Sequence, residues 1–210
     1  KAPLRAIANL SSWIEEDLTD SLTDETRHQM NLLRGRVHRM EALIEGLLQY
    51  SRVGRIQTVS ELVDVEKLLA EVIDSLAPPP EFIVEIAPGM PTLMTPKLLL
   101  QQVFSNLIGN AIKHHPSQSG KVTISVQEQP NFYEFAVADD GLGIAPQYHE
   151  KIFVIFQILE ARDKVENTGI GLSLVKKIVE NQGGTISLES SEGQGATFRF
   201  TWQKQALKEG

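Results

Sequence analysis

Apolar residues recur along this chain in more than one rhythm. Leu4, Ile7, Ile14 and Leu18 alternate spacings of three and four, with Ser11 as the one polar interruption. After a polar break over residues 19–24 the same spacing resumes at Met30, Leu33, Val37, Met40, Ile44 and Leu47. Such an a/d seam predicts two helices. Thr23 or Asp24 suits the N-cap of the second, with Glu25 favourable in its first turn. Two helices with a short connection form a hairpin. A lone hairpin leaves much of its apolar stripe wet, so pairing with a second copy into a four-helix bundle is expected, with packing on the following domain as the alternative. The hairpin is assigned to residues 1–53 and a linker containing Gly54 to residues 54–60.

Beyond the linker the rhythm changes. Residues 65–76 read as an amphipathic helix, stopped by Pro78, Pro79 and Pro80. Short strands are expected at 61–63 and 81–86, with a loop over 88–91. Residues 121–127 and 132–138 read as two strands joined across Pro130 and Asn131, and 184–190 and 196–202 as two more. Residues 173–182 read as a helix. The expected fold of residues 61–204 is therefore an α+β two-layer sandwich, a mixed sheet with helices on one face, with 205–210 as a tail.

The stretch QQVFSNLIGNAIKHH, residues 101–115, organises that second unit. As a helix entered through Pro96, it places Phe104, Leu107, Ile108, Ala111 and Ile112 on an apolar arc. Asn106, Asn110 and Lys113, at i, i+4 and i+7, share the opposite face. Alone, those three are an ordinary solvated face. They also suit a phosphate chain with a hydrated magnesium ion, which favours oxygen ligands and would take the Asn110 carbonyl.

Length and composition narrow the classes. A chain of 210 residues holds one or two domains and a real core. A formal charge of −7 argues against a nucleic-acid partner. Without cysteine there is no disulfide framework and no thiolate metal site, which fits a reducing cytoplasm. No apolar run approaches the roughly 18 residues of a membrane span, so no membrane contact is expected of this stretch.

Three glycine clusters follow the Asn helix in order. Asp139-Asp140-Gly141-Leu142-Gly143 ends a strand, Asn167-Thr168-Gly169-Ile170-Gly171-Leu172 opens a helix, and Gly193-Gln194-Gly195-Ala196-Thr197 precedes the last strand. None is a Rossmann fingerprint or a P-loop, and each alone is turn chemistry. As an ordered set, with Phe153 and Phe156 between the first two, they resemble the N, G1, F, G2 and G3 boxes of sensor histidine kinases. These share the GHKL, or Bergerat, ATP-binding fold, and the resemblance covers nearly the whole chain.

The resemblance implies a nucleotide site. Asp139 would recognise the adenine amino group, with Gly141 and Gly143 letting the backbone approach the purine beside Ile144. Thr168, Gly169, Ile170, Gly171 and Leu172 would form the phosphate loop at a helix start, where free N–H groups attract anions. Asn106, Asn110, Lys113 and His114 supply the N box, with Asn110 and Lys113 catalytic and Asn110 the magnesium ligand. Phe156 tethers the lid and Thr197 closes the third glycine box. The chain departs from the pattern at Asn167, where glycine is usual, and at Ile158, where arginine is usual. Arg162 or Lys164 stands nearby as a replacement cation. His115 and His149 read as surface residues.

Lys1-Ala2-Pro3-Leu4-Arg5-Ala6-Ile7 resembles the latter part of the H box, and that places the acceptor histidine three residues before Lys1. None of His28, His38, His114, His115 and His149 follows the H-box pattern. The sequence is thus expected to be a fragment cut within its first helix. Its opening also resembles kinases that follow light-sensing modules of the phytochrome kind. The family implies Mg-ATP, a homodimer through the hairpin, an upstream sensor module and phosphate relayed to an aspartate of a response regulator receiver domain. Two other readings stand beside it. One is a non-kinase GHKL ATPase, such as a topoisomerase or chaperone fragment, against which the H-box remnant and paired helices argue. The other is a nucleotide-binding signalling scaffold, against which the intact Asn, Asp and Gly set argues.

Overall fold

The computed structural model describes residues 2–19, 21–55, 59–157 and 168–204. Helix α1 spans Ala2–Asp17 and helix α2 spans Asp24–Arg52, packed on one another. Thr23 is the cap: its Oγ1 accepts from the Thr26 N–H at 3.2 Å. The break in the apolar seam is the tightest place in the hairpin. Ser11 is 4% exposed and donates to Met30 Sδ at 3.5 Å, while Val37 on α2 is 3% exposed. Around them Ile7, Ile14, Leu18, Leu33, Met40, Ile44 and Leu47 remain exposed. The hairpin therefore buries only part of the stripe that its sequence repeats.

The second unit opens with β1 (Glu61–Asp64), which pairs antiparallel with β3 (Thr92–Thr95). Between them lie α3 (Val65–Leu76) and β2 (Phe82–Ile86). Asp64 caps α3 by accepting from the Lys67 N–H at 3.1 Å, and Ala77 ends it in the left-handed region at φ 44°. Next come α4 (Lys97–Lys113), β4 (Gly120–Glu128), β5 (Phe132–Asp139), α5 (Gly171–Asn181), β6 (Ile186–Ser190) and β7 (Ala196–Gln203). Two single 3-10 turns, Pro146–Tyr148 and Lys151–Phe153, interrupt the loop after β5.

The main sheet has the order β2-β4-β5-β7-β6. β2 runs parallel to β4 and every other pairing is antiparallel, so the sheet is mixed. Helices α3, α4 and α5 pack against it. Along β7 the buried positions alternate, Ala196, Phe198, Phe200 and Trp202, as a sheet covered on one face requires. Phe104 of α4 meets Phe135 and Phe200 edge-on, with ring centroids 5.4 Å from each, an arrangement aromatic quadrupoles favour. Trp202 Nε1–H donates to Thr95 Oγ1 at 2.9 Å, tying the small sheet to the large one through two buried side chains.

Two elements differ from the sequence reading. Strand β3 stands at 92–95, between the expected loop and helix, where no element was expected, because four residues are too few to show an alternation. Helix α4 starts as expected, at Lys97 with Pro96 as its N-cap, but it ends at Lys113, two residues short of the end of the stretch 101–115. The readings at Lys1, Ile158, Arg162, Lys164 and Asn167, part of the linker (56–58) and the tail (205–210) lie outside the described residues. Among the described residues no helix is long and apolar enough to cross a membrane.

Candidate functional site

A cavity of about 580 Å³ opens between the polar face of α4, the end of β5, the loop that follows it and the start of α5. Helical spacing brings Asn106, Asn110 and Lys113 onto one wall, with His114 just beyond. Asn106 Nδ2 donates back to Gln102 O at 2.8 Å, which fixes the orientation of its amide. A Cβ on Gly171 would stand 2.8 Å from Asn106 Oδ1, so the first turn of α5 meets α4 at this amide.

Asp139 lies at the opposite end, where β5 stops. The Gly141 N–H donates to its Oδ1 at 3.0 Å. Burial pushes the Asp139 carboxyl above the ordinary carboxylate value, opposed by N–H groups of Gly141 and Ala196 and by His115. Its neighbour Asp140 is held below the ordinary value, chiefly by the Lys121 N–H at 2.7 Å. The adjacent acids are thus set apart by environment: one half-buried on the cavity wall, the other anchored to a neighbouring strand.

The glycines answer to the chain itself. Gly143 has φ 69°, and a Cβ there would lie 2.0 Å from Ser191 O, so close backbone packing demands glycine before any ligand is considered. The next residue, Ile144, donates its N–H to Ser190 Oγ at 2.8 Å, and Ser190 donates to Gly195 O at 2.6 Å. Ser190, which the sequence reading passed over, joins the first and third glycine clusters. Gly169 has φ 65°, and its carbonyl accepts from the Phe156 N–H at 2.8 Å.

The structure brings together Asn106, Asn110, Lys113, His114, Asp139, Gly141, Gly143, Ile144, Thr168, Gly169, Gly171 and Leu172 on the cavity wall. Three expected residues lie off it. Ile170 is 2% exposed and faces α2, where a Cβ on Gly46 would be 2.9 Å from its Cδ1. Thr197 pairs with Ala138 and Glu189, while its neighbours Ala196 and Phe198 reach the wall. The alternation of β7 already contained that answer. Phe156 is 51% exposed with φ 66°, so it is not a core residue; Phe153 is the packed one, edge-on to Phe198 at 6.4 Å. Arg162 lies outside the described residues.

Several wall residues were not anticipated, among them Ala111, Leu142, Tyr148, Ile152, Gln157 and Glu192. The surface reading of two histidines needs correction. His115 lines the cavity with its side chain 7% exposed, and a His149 ring nitrogen lies 2.9 Å from Ile144 O in a half-buried position. Lone histidines beside loops carry no periodicity, so nothing in the sequence marks them.

Comparison with known proteins gives a consistent outcome. Residues 95–206 match the family described as histidine kinase-, DNA gyrase B-, and HSP90-like ATPase. The chain is 36% identical to phytochrome-like protein Cph1 of Synechocystis over 201 residues, covering 95% of this chain and 27% of that protein. It is 30% identical to sensor histidine kinase WalK of Bacillus subtilis, covering 94% of this chain and 33% of that protein. The crystal structure of full-length ShkA in complex with AMPPNP aligns with a TM-score of 0.74 at 26% identity, over 99% of this chain and 44% of that one. The chain therefore spans a third or less of the length of these curated relatives.

Proposed function

This chain belongs to the histidine kinase-, DNA gyrase B- and HSP90-like ATPase family, on its sensor histidine kinase branch, and from that premise we propose that it binds Mg-ATP in the cavity described and phosphorylates a histidine. The observation that carries the reading is the meeting of three separate sequence clusters around one space. Asn106, Asn110 and Lys113 face the start of α5 at Gly169 and Gly171, while Asp139 stands at the other end. A half-buried carboxylate suits an exocyclic amine, and amides, an ammonium and glycine N–H groups suit a phosphate chain.

Transfer of the γ-phosphoryl group breaks its bond to the ADP oxygen and forms one to a histidine nitrogen. Such a step needs positioning and charge neutralisation more than covalent help from the protein. Lys113 neutralises phosphate charge, and the glycine loop orients the chain. Magnesium, arriving with the nucleotide, would add charge neutralisation, with Asn110 as its protein ligand. Among the described residues no cluster of three carboxylates, imidazoles or thiolates forms a metal site of its own. That fits an ion held mainly by phosphates and water.

The acceptor is a histidine upstream of Lys1, and the phosphate passes from it to an aspartate of a response regulator receiver domain. The exposed apolar stripe of the hairpin seats a second copy, and a sensor module precedes it in the whole protein. The test is autophosphorylation by a chain extended upstream through the H box, with calorimetry of Mg-ATP in parallel. Asn110→Ala is expected to abolish phosphorylation while leaving the melting transition in place. Normal phosphorylation by that variant would remove Asn110 from the magnesium site, and a chain that binds no nucleotide would sink the whole reading.

A further inference from the structure

His115 lines the cavity, yet the nucleotide reading gives it nothing to do. It sits two residues beyond the end of α4, in a connection that would normally leave it in water. Instead its ring meets Phe82 edge-on, with centroids 5.4 Å apart at 87°. A Cβ on Gly120 would stand 2.7 Å from its Cε1 and Nε2, so the ring fills space that only glycine leaves open. A ring so enclosed keeps one orientation.

That orientation sets both nitrogens. Nδ1 lies 3.0 Å from Ser117 O, with the Ser117 N–H also within 3.3 Å. Nε2 lies 3.2 Å from Asp140 Oδ1, at ion-pair distance but off the line of a hydrogen bond. The same Asp140 carboxylate accepts from the Lys121 N–H, and the Asp140 N–H reaches Lys121 O at 3.3 Å. The ring also borders the next residue, since a Cβ on Gly141 would stand 3.6 Å from His115 Cδ2. It therefore contacts Asp140 and walls the space over Gly141, whose N–H donates to the Asp139 carboxylate.

We propose that His115 is a positioning residue for base recognition: by fixing Asp140 and Gly141 it aims the Asp139 carboxylate at the 6-amino group of a bound adenine. The proposal rests on the nucleotide reading of the cavity. A ring that served only as filler would be replaceable by phenylalanine. A ring that works through its nitrogens would be replaceable by glutamine, whose amide reaches about as far.

The experiment is calorimetry with the whole chain and magnesium, comparing ATP with purine riboside triphosphate, which lacks the 6-amino group. The wild type is expected to prefer ATP by roughly tenfold, the scale of one buried hydrogen bond to a carboxylate. In His115→Phe that preference should fall to about twofold or less while affinity for the purine analogue stays near the wild-type value, and His115→Gln should restore most of it. Asp140→Asn, which keeps the shape and the Lys121 contact but removes the charge facing the ring, should also lower the preference, and it carries the test if His115→Phe does not fold. Full preference for ATP in His115→Phe or in Asp140→Asn overturns the proposal. So does an equal loss of affinity for both nucleotides, which is what damage to the fold would produce. A wild type that binds neither nucleotide overturns the nucleotide reading itself. One that binds both equally removes Asp139 from the base end and this role of His115 with it.

Discussion

Asp139 holds the sharpest conflict between stability and function at a single residue. Burial raises its carboxyl above the ordinary value, so the folded chain binds that proton more tightly than the unfolded chain does. The contribution of this group to stability is greatest below the ordinary carboxylate value and declines as pH rises through the raised one. At neutral pH the ionised carboxylate is therefore a cost, one that the proposed hydrogen bond to adenine would recover. Asp139→Asn is expected to raise the melting temperature of the nucleotide-free chain at pH 7, with the gain shrinking toward acid pH. It should also weaken ATP binding by about 1.5–3 kcal/mol, the value of a hydrogen bond to a charged group. Calorimetry and melting curves across pH check both halves, and a variant with lower stability and unchanged affinity would contradict them. Asp139 and Asn110 were legible in the sequence because motif order and helical spacing single them out. His115 and Ser190 were not, because their roles come from partners such as Asp140 and Gly195 brought close by the fold.

Among the elements, legibility followed length and period. Helix α3 occupies the residues its amphipathic pattern predicts, stopped before three prolines. Strand β3 went unassigned because Thr92-Leu93-Met94-Thr95, set between Pro91 and Pro96, shows no period-2 alternation. The loop residues split according to which way each side chain turns. Gly169 and Gly171 face the cavity and Ile170 turns away, a distinction no motif encodes. The glycine turn after β5 offers a direct test. Gly143→Ala must hold a side chain in the left-handed region, which costs about 1–2 kcal/mol before any clash. Its Cβ would also lie 2.0 Å from Ser191 O. The expected result is a loss of more than about 2 kcal/mol, with the Ile144 to Ser190 hydrogen bond disrupted. Thr23→Ala, which removes the cap of α2, should cost only about 1 kcal/mol. Denaturant titrations that rank the two the other way would show that the packing at Gly143 relaxes freely.

At the scale of the whole molecule, the hairpin and the nucleotide-binding unit meet at α2 and α5, a packing that the sequence offered only as the alternative to a second copy and without its residues. Lys177 Nζ donates to Tyr50 O at 2.8 Å and sits 4.0 Å over the centroid of the Tyr50 ring. The carbonyl is one of the last four of α2, which the helix leaves without an internal partner. One turn earlier, Gly46 leaves the notch that Ile170 fills, with a hypothetical Cβ 2.9 to 3.3 Å from three atoms of that side chain. Because Gly169 and Gly171, which flank Ile170, line the cavity, the hairpin abuts the loop proposed to hold the phosphates. Gly46→Leu separates two effects. Within α2 it should stabilise the helix by roughly 0.8 kcal/mol, since leucine is a far better helix former than glycine. At the contact it leaves no room for Ile170, so α5 must move away from α2. We expect unchanged or higher helicity by circular dichroism, a larger radius of gyration by small-angle scattering and an altered ATP affinity. Gly46→Ala should show the same changes in smaller measure. If Gly46→Leu leaves both the radius and the affinity at wild-type values, the hairpin does not bear on the phosphate loop through Ile170.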